Sequence, residues 1–222
     1  MRNNLWALLA AAAAPVGLSA STTLLDFESE AQRAALPCVT QGVFRAGCER
    51  KGAVGGAWSF ALKADPWKPG QDEWPGVDLP LKGVLDLREY DRIVVDVLAL
   101  GETDDDNLSL FIAPPEGRFQ DGFYAILPLV GGGFERWVIR LDKWPKTCDG
   151  SRIGRLRFYI GRPKGSEVYL DNITLYRKGE VVPPPPPMYQ AMKTSGERAS
   201  AERRQERLNE LFALMMEGSY ES

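Results

Sequence analysis

Histidine is absent from the 222 residues of this chain. That single gap removes Ser-His-Asp triads, HExxH metalloproteases and most zinc or copper enzymes, since each needs an imidazole as base or ligand. Cysteine is scarce, with three residues, and none of them has a histidine to activate it as a nucleophile. An excess of positive charge is also lacking. The net charge is −3, so no basic field exists to hold nucleic acid or an anionic membrane surface. The longest apolar run, Leu5 to Leu18, is about 14 residues and falls short of the ~20 needed to cross a bilayer. Any chemistry must rest on carboxylates, Lys, Tyr, Ser or Cys.

What is present divides into four regions. Residues 1–20 have a basic start, a short apolar core and small residues before a cut after Ala20, the pattern of a secretory signal peptide. No Cys follows that run, which argues against a lipoprotein leader. Export to the periplasm or the exterior is the expected location, with no membrane span left after cleavage. Residues 21–179 form the body. Residues 180–193 carry five consecutive prolines, Pro183 to Pro187, and predict an extended polyproline spacer. Residues 194–218 predict an amphipathic helix: Thr194 and Glu197 make a capping box, and Gly218 is a stop. Leu208, Leu211, Phe212 and Met215 give that helix one apolar stripe.

Within the body, short β-runs recur with turn signals between them, and helical periodicity is nearly absent. The runs are Val54–Leu62, Ile93–Leu98, Leu108–Ile112, Phe123–Leu129, Trp137–Leu141, Arg155–Ile160 and Val168–Tyr176. An all-β antiparallel sandwich of jelly-roll type is therefore predicted over a βαβ fold. Period-two alternation sends Ile93, Val95 and Val97 inward, with Leu108, Leu110, Ile112, Trp137, Ile139, Leu141, Leu156, Phe158 and Ile160. The opposite faces carry Asp96, Phe111, Arg140, Arg157 and Tyr159. Leu170 and Ile173 are three apart and can share a face only with an extra residue, so a bulge is predicted at Asp171-Asn172. Gly131-Gly132-Gly133 lacks the GK[ST] of a phosphate loop and reads as a hairpin connection.

Two segments, Leu24-Leu25-Asp26-Phe27-Glu28 and Val168 to Leu175, resemble the first and last strands of galactose-binding-like β-sandwiches. These sandwiches serve secreted glycosidases as carbohydrate-binding modules, and the resemblance runs from about Leu24 to Arg177. It implies a non-catalytic fold that holds a polysaccharide or oligosaccharide, and a structural calcium between the two terminal strands. The carry-over falls on Glu28 and Asp171, with Asp26 beside them. Carboxylate oxygens from two strands are the donors Ca²⁺ requires. The competing reading has Asp171 capping backbone N–H groups at the bulge.

Sugar rings present apolar C–H faces that stack on exposed aromatic rings. Trp67 and Trp74, in Pro/Gly-rich loops, are candidates for a binding rim beside Phe111, Tyr124, Arg157 and Tyr159, with Asp96 and Arg140 adding hydrogen bonds. The alternative is that Trp67 and Trp74 pin loops onto the body and that Trp58 packs in the core. Trp137 and Trp144 read as structural. In an exported chain Cys38 and Cys48 are spaced for a disulfide, leaving Cys148 over; three reduced thiols is the other possibility. Two further functions stay open. One is a protein-interaction or assembly subunit, docking a partner or a second copy through helix 194–218. The other is a jelly-roll glycoside hydrolase or lyase. No ExDxxE spacing is present, and Asp104-Asp105-Asp106 reads as a solvated turn.

Overall fold

A computed structural model describes residues 21–101, 107–116, 122–129, 133–141 and 148–185. The expected leader, the helix at 194–218, most of the proline spacer, Asp104 to Asp106 and Trp144 lie outside the described residues.

Eleven strands and one short helix make up the described part. In chain order they are β1 (Thr22–Leu25), α1 (Glu30–Ala35), β2 (Val39–Gln41), β3 (Phe44–Glu49), β4 (Ser59–Ala64) and β5 (Gly76–Leu85). Then come β6 (Tyr90–Gly101), β7 (Asn107–Ala113), β8 (Phe123–Pro128), β9 (Gly133–Arg140), β10 (Ile153–Ile160) and β11 (Ser166–Arg177). The larger sheet has the order β2-β3-β4-β11-β6-β9, with β1 paired to β11 as a seventh strand; the smaller is β5-β10-β7-β8. Pairing is antiparallel in both sheets.

The alternation seen in the sequence fixes what lies between the sheets. Ile93, Val95 and Val97 of β6 and Trp137 and Ile139 of β9 meet Leu108, Leu110 and Ile112 of β7 and Leu156, Phe158 and Ile160 of β10 in one core. Each fully buried Leu, Ile or Phe contributes roughly 1.5–3 kcal/mol of transfer free energy. The bulge in the last strand is present. Asp171 pairs with Asp96 and Thr174 with Val94, so β11 holds one residue more than β6 there. Asn172 takes up the left-handed conformation (φ 47°), and Leu170 and Ile173 both reach the core.

Three expectations need correction. The strand at Val54–Leu62 starts later, at Ser59, because residues 50–58 are an irregular loop. The Gly131–Gly133 run does not close a hairpin: β8 ends in the smaller sheet and β9 begins in the larger, so the connection crosses between sheets. Cys38 and Cys48 are free thiols. In the β2–β3 register Val39 faces Ala46, which sets Cys38 opposite Gly47 and leaves Cys48 one residue out of step. Neighbouring residues on a strand point to opposite faces. Cys38 is accordingly exposed while Cys48 packs against the core.

Four elements escaped the sequence reading: α1, β2, β3 and β5. Helix α1 is capped by Ser29, whose hydroxyl accepts from the Gln32 N–H at 3.1 Å. Strand β5 alternates Val77, Leu79 and Leu81 inward, but Gly76, Pro80 and Gly83 disguise it. Pro80 is tolerated because β5 is an edge strand.

Candidate functional site

The outer face of the smaller sheet gathers most of the residues singled out from sequence. On β10 the inward run Leu156, Phe158, Ile160 leaves Arg155, Arg157 and Tyr159 pointing out. The register then sets the rows. Arg157 lies between Asp78 of β5 and Phe111 of β7, and Phe111 pairs with Tyr124 of β8. Tyr159 lies between Gly76 and Ser109, and Ser109 pairs with Ile126. Arg155 lies between Pro80 and Ala113.

Three rings group at the centre. Phe111 and Tyr124 have centroids 4.6 Å apart, Phe111 and Tyr159 5.7 Å, and Tyr124 and Tyr159 6.3 Å with planes only 6° apart. Trp74 stands edge-on to Tyr159 at 5.7 Å and 82°. It is 55% exposed, which leaves much of the indole open to solvent. Glycine makes this packing possible at two places. A Cβ on Gly76 would come within 2.5 Å of the Tyr159 Cβ, and one on Gly161 would lie 2.8 Å from the Trp74 Cε3 and closer still to its Cζ3.

Polar groups surround the rings. The Ser109 and Tyr124 hydroxyls are 3.3 Å apart. Burial, and then the hydrogen bond with Tyr124, raise the Tyr159 phenol above its ordinary pKa, so it remains a neutral O–H at physiological pH. The Asp78 carboxylate is 3.6 Å from Arg155 Nη1 and 3.8 Å from Arg157 Nη1, through Oδ2 in both cases. Such a surface can stack on the C–H face of a sugar and exchange hydrogen bonds with its hydroxyls.

Trp74, Phe111, Tyr124, Arg157 and Tyr159 are thus brought together as expected. Trp67 acts as a loop pin: its indole N–H donates to the Gln71 carbonyl at 3.3 Å, and the Arg162 guanidinium lies 5.3 Å over its ring. Its backbone N–H also donates to the Pro163 carbonyl at 2.7 Å, tying the loop before β5 to the turn after β10. Trp58 is held between the Arg33 and Arg50 guanidiniums, 4.3 and 4.9 Å from its ring.

Asp96 and Arg140 do not join this face. They belong to β6 and β9 of the larger sheet, on the other side of the sandwich. Asp96 is fully buried, receives both Arg136 Nε and Nη2 at 2.7 and 2.8 Å, and accepts from Asn172 Nδ2 at 3.2 Å. It is the buried half of a bidentate ion pair, with no hydrogen-bonding role left for a glycan. Arg140 pairs across the strands with Arg92.

The acidic trio does not converge either. Asp171 Oδ2 accepts from the Val54 and Gly55 N–H groups at 2.6 and 3.4 Å, and its Oδ1 from the Asn172 N–H at 2.8 Å. Glu28 Oε1 accepts from the Ala57 and Trp58 N–H groups, both at 2.9 Å, while Asp26 caps the Glu28 N–H at 3.2 Å. Amide donors bond four of the six carboxylate oxygens, and among the described residues no group of three or more His, Cys, Asp or Glu is placed to hold a metal. The trio does not fit a calcium site. Glu28 and Asp171 instead fasten the loop 50–58 to the turn after β1 and to β11. Burial pushes the Asp171 carboxyl up to about 6, against three backbone N–H groups that lower it.

Sequence reasoning missed Asp78, Ser109 and Arg155. Arg155 and Ser109 follow from the outward parity of β10 and β7; Asp78 was hidden with its strand.

No protein-family model matches the chain, and no curated protein matches it by sequence. Solved structures do resemble it. A family 30 carbohydrate-binding module superposes with a TM-score of 0.56 at 14% identity, covering 75% of this chain and 92% of the module. A family 11 module from Clostridium thermocellum, in complex with a β-1,3-1,4-mixed-linked tetrasaccharide, gives 0.50 at 13% identity, covering 72% of this chain and 97% of the module. An exo-β-agarase gives 0.53 at 14% identity; 76% of this chain is covered but only 26% of the agarase. The chain has the galactose-binding-like β-sandwich fold of carbohydrate-binding modules.

Proposed function

We infer that this protein is a non-catalytic, exported carbohydrate-binding module that holds a glycan on the outer face of its smaller sheet. The observation that carries this reading is the exposed Trp74 indole set against the Tyr159, Phe111 and Tyr124 rings, with the Asp78–Arg157 pair in the adjoining row. Stacking by the indole and hydrogen bonding by neutral hydroxyls is chemistry suited to an uncharged sugar chain. Hydrolysis would call for two carboxylates facing each other about 5–10 Å apart. Among the described residues of this face, Asp78 is the one carboxylate in the rows, and it is set between two guanidiniums. That favours holding over cleaving. The apolar leader at 1–20 supports export.

The family 11 module's tetrasaccharide makes mixed-linkage β-glucan the first probe. Affinity electrophoresis of the full chain in gels containing mixed-linkage β-glucan, cellulose derivatives, agarose or galactan tests the reading. Retardation in at least one gel, abolished in Tyr159→Ala and in Phe111→Ala, is expected. Free migration in every gel removes the reading.

A further inference from the structure

Beside the aromatic face, at the far end of β10, lies a groove of about 610 Å³. Its origin is in the register of β5. Arg155 pairs with Pro80 and Ile153 with Leu85, so β5 takes five steps where β10 takes two. The surplus swings out around Gly83 (φ 82°) and raises Val84, 54% exposed, as a wall. Pro37, after α1, and Pro115, after β7, also line the groove. Pro115 lies flat on Gly154, where a Cβ would come within 2.6 Å of it.

Asp78 and Arg155 belong to both places, lining the groove and standing in the rows of the sheet face. Groove and face are therefore continuous. From Tyr159 to Arg155 is four residues, about 13 Å at ~3.3 Å per residue, and the groove extends beyond that. Arg155 is braced by its Nε bond to the Pro114 carbonyl at 3.0 Å, which keeps its guanidinium beside Asp78. Asp78 presents an acceptor without a donor. Its Oδ1 is shielded from solvent and takes no hydrogen bond, while Oδ2 lies just beyond hydrogen-bond reach of both arginines. The Asp78 side chain as a whole is 39% exposed, so Oδ2 is the oxygen that an O–H donor at the junction of face and groove can reach.

We propose that the groove is a second sugar subsite, and that the ligand is an internal stretch of a neutral polysaccharide lying along β10 from Trp74 to Val84. This rests on the carbohydrate-binding reading and sharpens it. Asp78 accepts from a sugar hydroxyl at the crossing point, and Pro37, Pro115 and Val84 flank the apolar side of the next ring. The run from Tyr159 into the groove is longer than a disaccharide, so a di- or trisaccharide fills one part and a longer chain fills both.

The test is calorimetric titration of the full chain with a ladder of mixed-linkage β-glucan oligosaccharides, from disaccharide to hexasaccharide, and with the polymer. Affinity should rise at least tenfold between trisaccharide and hexasaccharide. Asp78→Ala should cost about tenfold on the hexasaccharide, the scale of one hydrogen bond to a charged group. Ala35→Leu narrows the groove from an exposed position on α1, remote from the aromatic rings. It should pull hexasaccharide affinity down to the trisaccharide level and leave the trisaccharide unchanged. An affinity that is flat beyond the trisaccharide, or a hexasaccharide indifferent to Ala35→Leu while Tyr159→Ala abolishes binding, overturns the second subsite and leaves the first standing. No binding of any length by the wild type overturns both.

Discussion

Asp171 offers a prediction whose size follows from its surroundings. It is 1% exposed, and its carboxyl titrates at about 6 where an ordinary aspartate has 3.8, chiefly through burial. Below about pH 4 the group is protonated whether the chain is folded or not, and it contributes no pH dependence. Between about 4 and 6 the unfolded chain has lost the proton and the folded one keeps it, so stability falls as pH rises. Above about 6 the full deficit is in place: two pKa units at ~1.4 kcal/mol each, or about 3 kcal/mol. In a domain of this size 1 kcal/mol moves the melting temperature by roughly 2–4 °C. Asp171→Asn keeps the shape and removes the charge. Its one carbonyl cannot serve all three N–H donors, which is a loss constant with pH. Thermal unfolding of the two proteins between pH 4 and 7 should therefore give curves that converge toward neutral pH, with the wild type losing about 6–12 °C relative to the variant. Parallel curves would show that burial does not raise the Asp171 carboxyl, and the reasoning from its burial would fail. Chelator should shift neither curve, since amide donors hold these oxygens.

Other perturbations have definite outcomes. Gly161→Ala places a methyl group against the Trp74 ring and should lower glucan affinity about tenfold while leaving the melting temperature within 2–3 °C, because the displaced indole is largely exposed; unchanged affinity would remove Trp74 from the site. Arg136→Ala strands the buried Asp96 carboxylate and should cost about 3–5 kcal/mol in urea unfolding without altering glycan affinity in the surviving folded protein. Reductant should leave the melting temperature unchanged, as Cys38 and Cys48 are out of step across β2 and β3; a drop of several degrees would mean they are bridged.

How much of this was legible in the sequence depends on what alternation encodes. Period two separates inward from outward residues, and it placed Ile93, Leu110 and Phe158 in the core and Phe111, Arg157 and Tyr159 outside it. It carries no information on which sheet a strand joins. Asp96 and Arg140 are outward as expected, yet outward on the other side of the sandwich, so sharing a parity with Tyr159 did not mean sharing a surface. The bulge was legible because Leu170 and Ile173 are both too apolar to be left outside. Asp171 was singled out as a calcium ligand, whereas its partners, the N–H groups of Val54 and Gly55, sit more than 100 positions away in a loop with no pattern. Strand β5 was lost because Gly76, Pro80 and Gly83 are breakers in general. Here each has a local reason: room for Tyr159, an edge position, and the swing-out that forms the groove. With β5 went Asp78, the carboxylate of the aromatic face.

The most direct test of the account is amide and indole NMR mapping of the full chain titrated with a mixed-linkage β-glucan hexasaccharide. Shifts confined to the Trp74 indole N–H and to the backbone of Asp78, Ser109, Phe111, Arg155 and Tyr159 are expected. Shifts clustered instead around Asp96, Arg136 and Arg140 on the opposite sheet, or no shifts at saturating sugar, would contradict it.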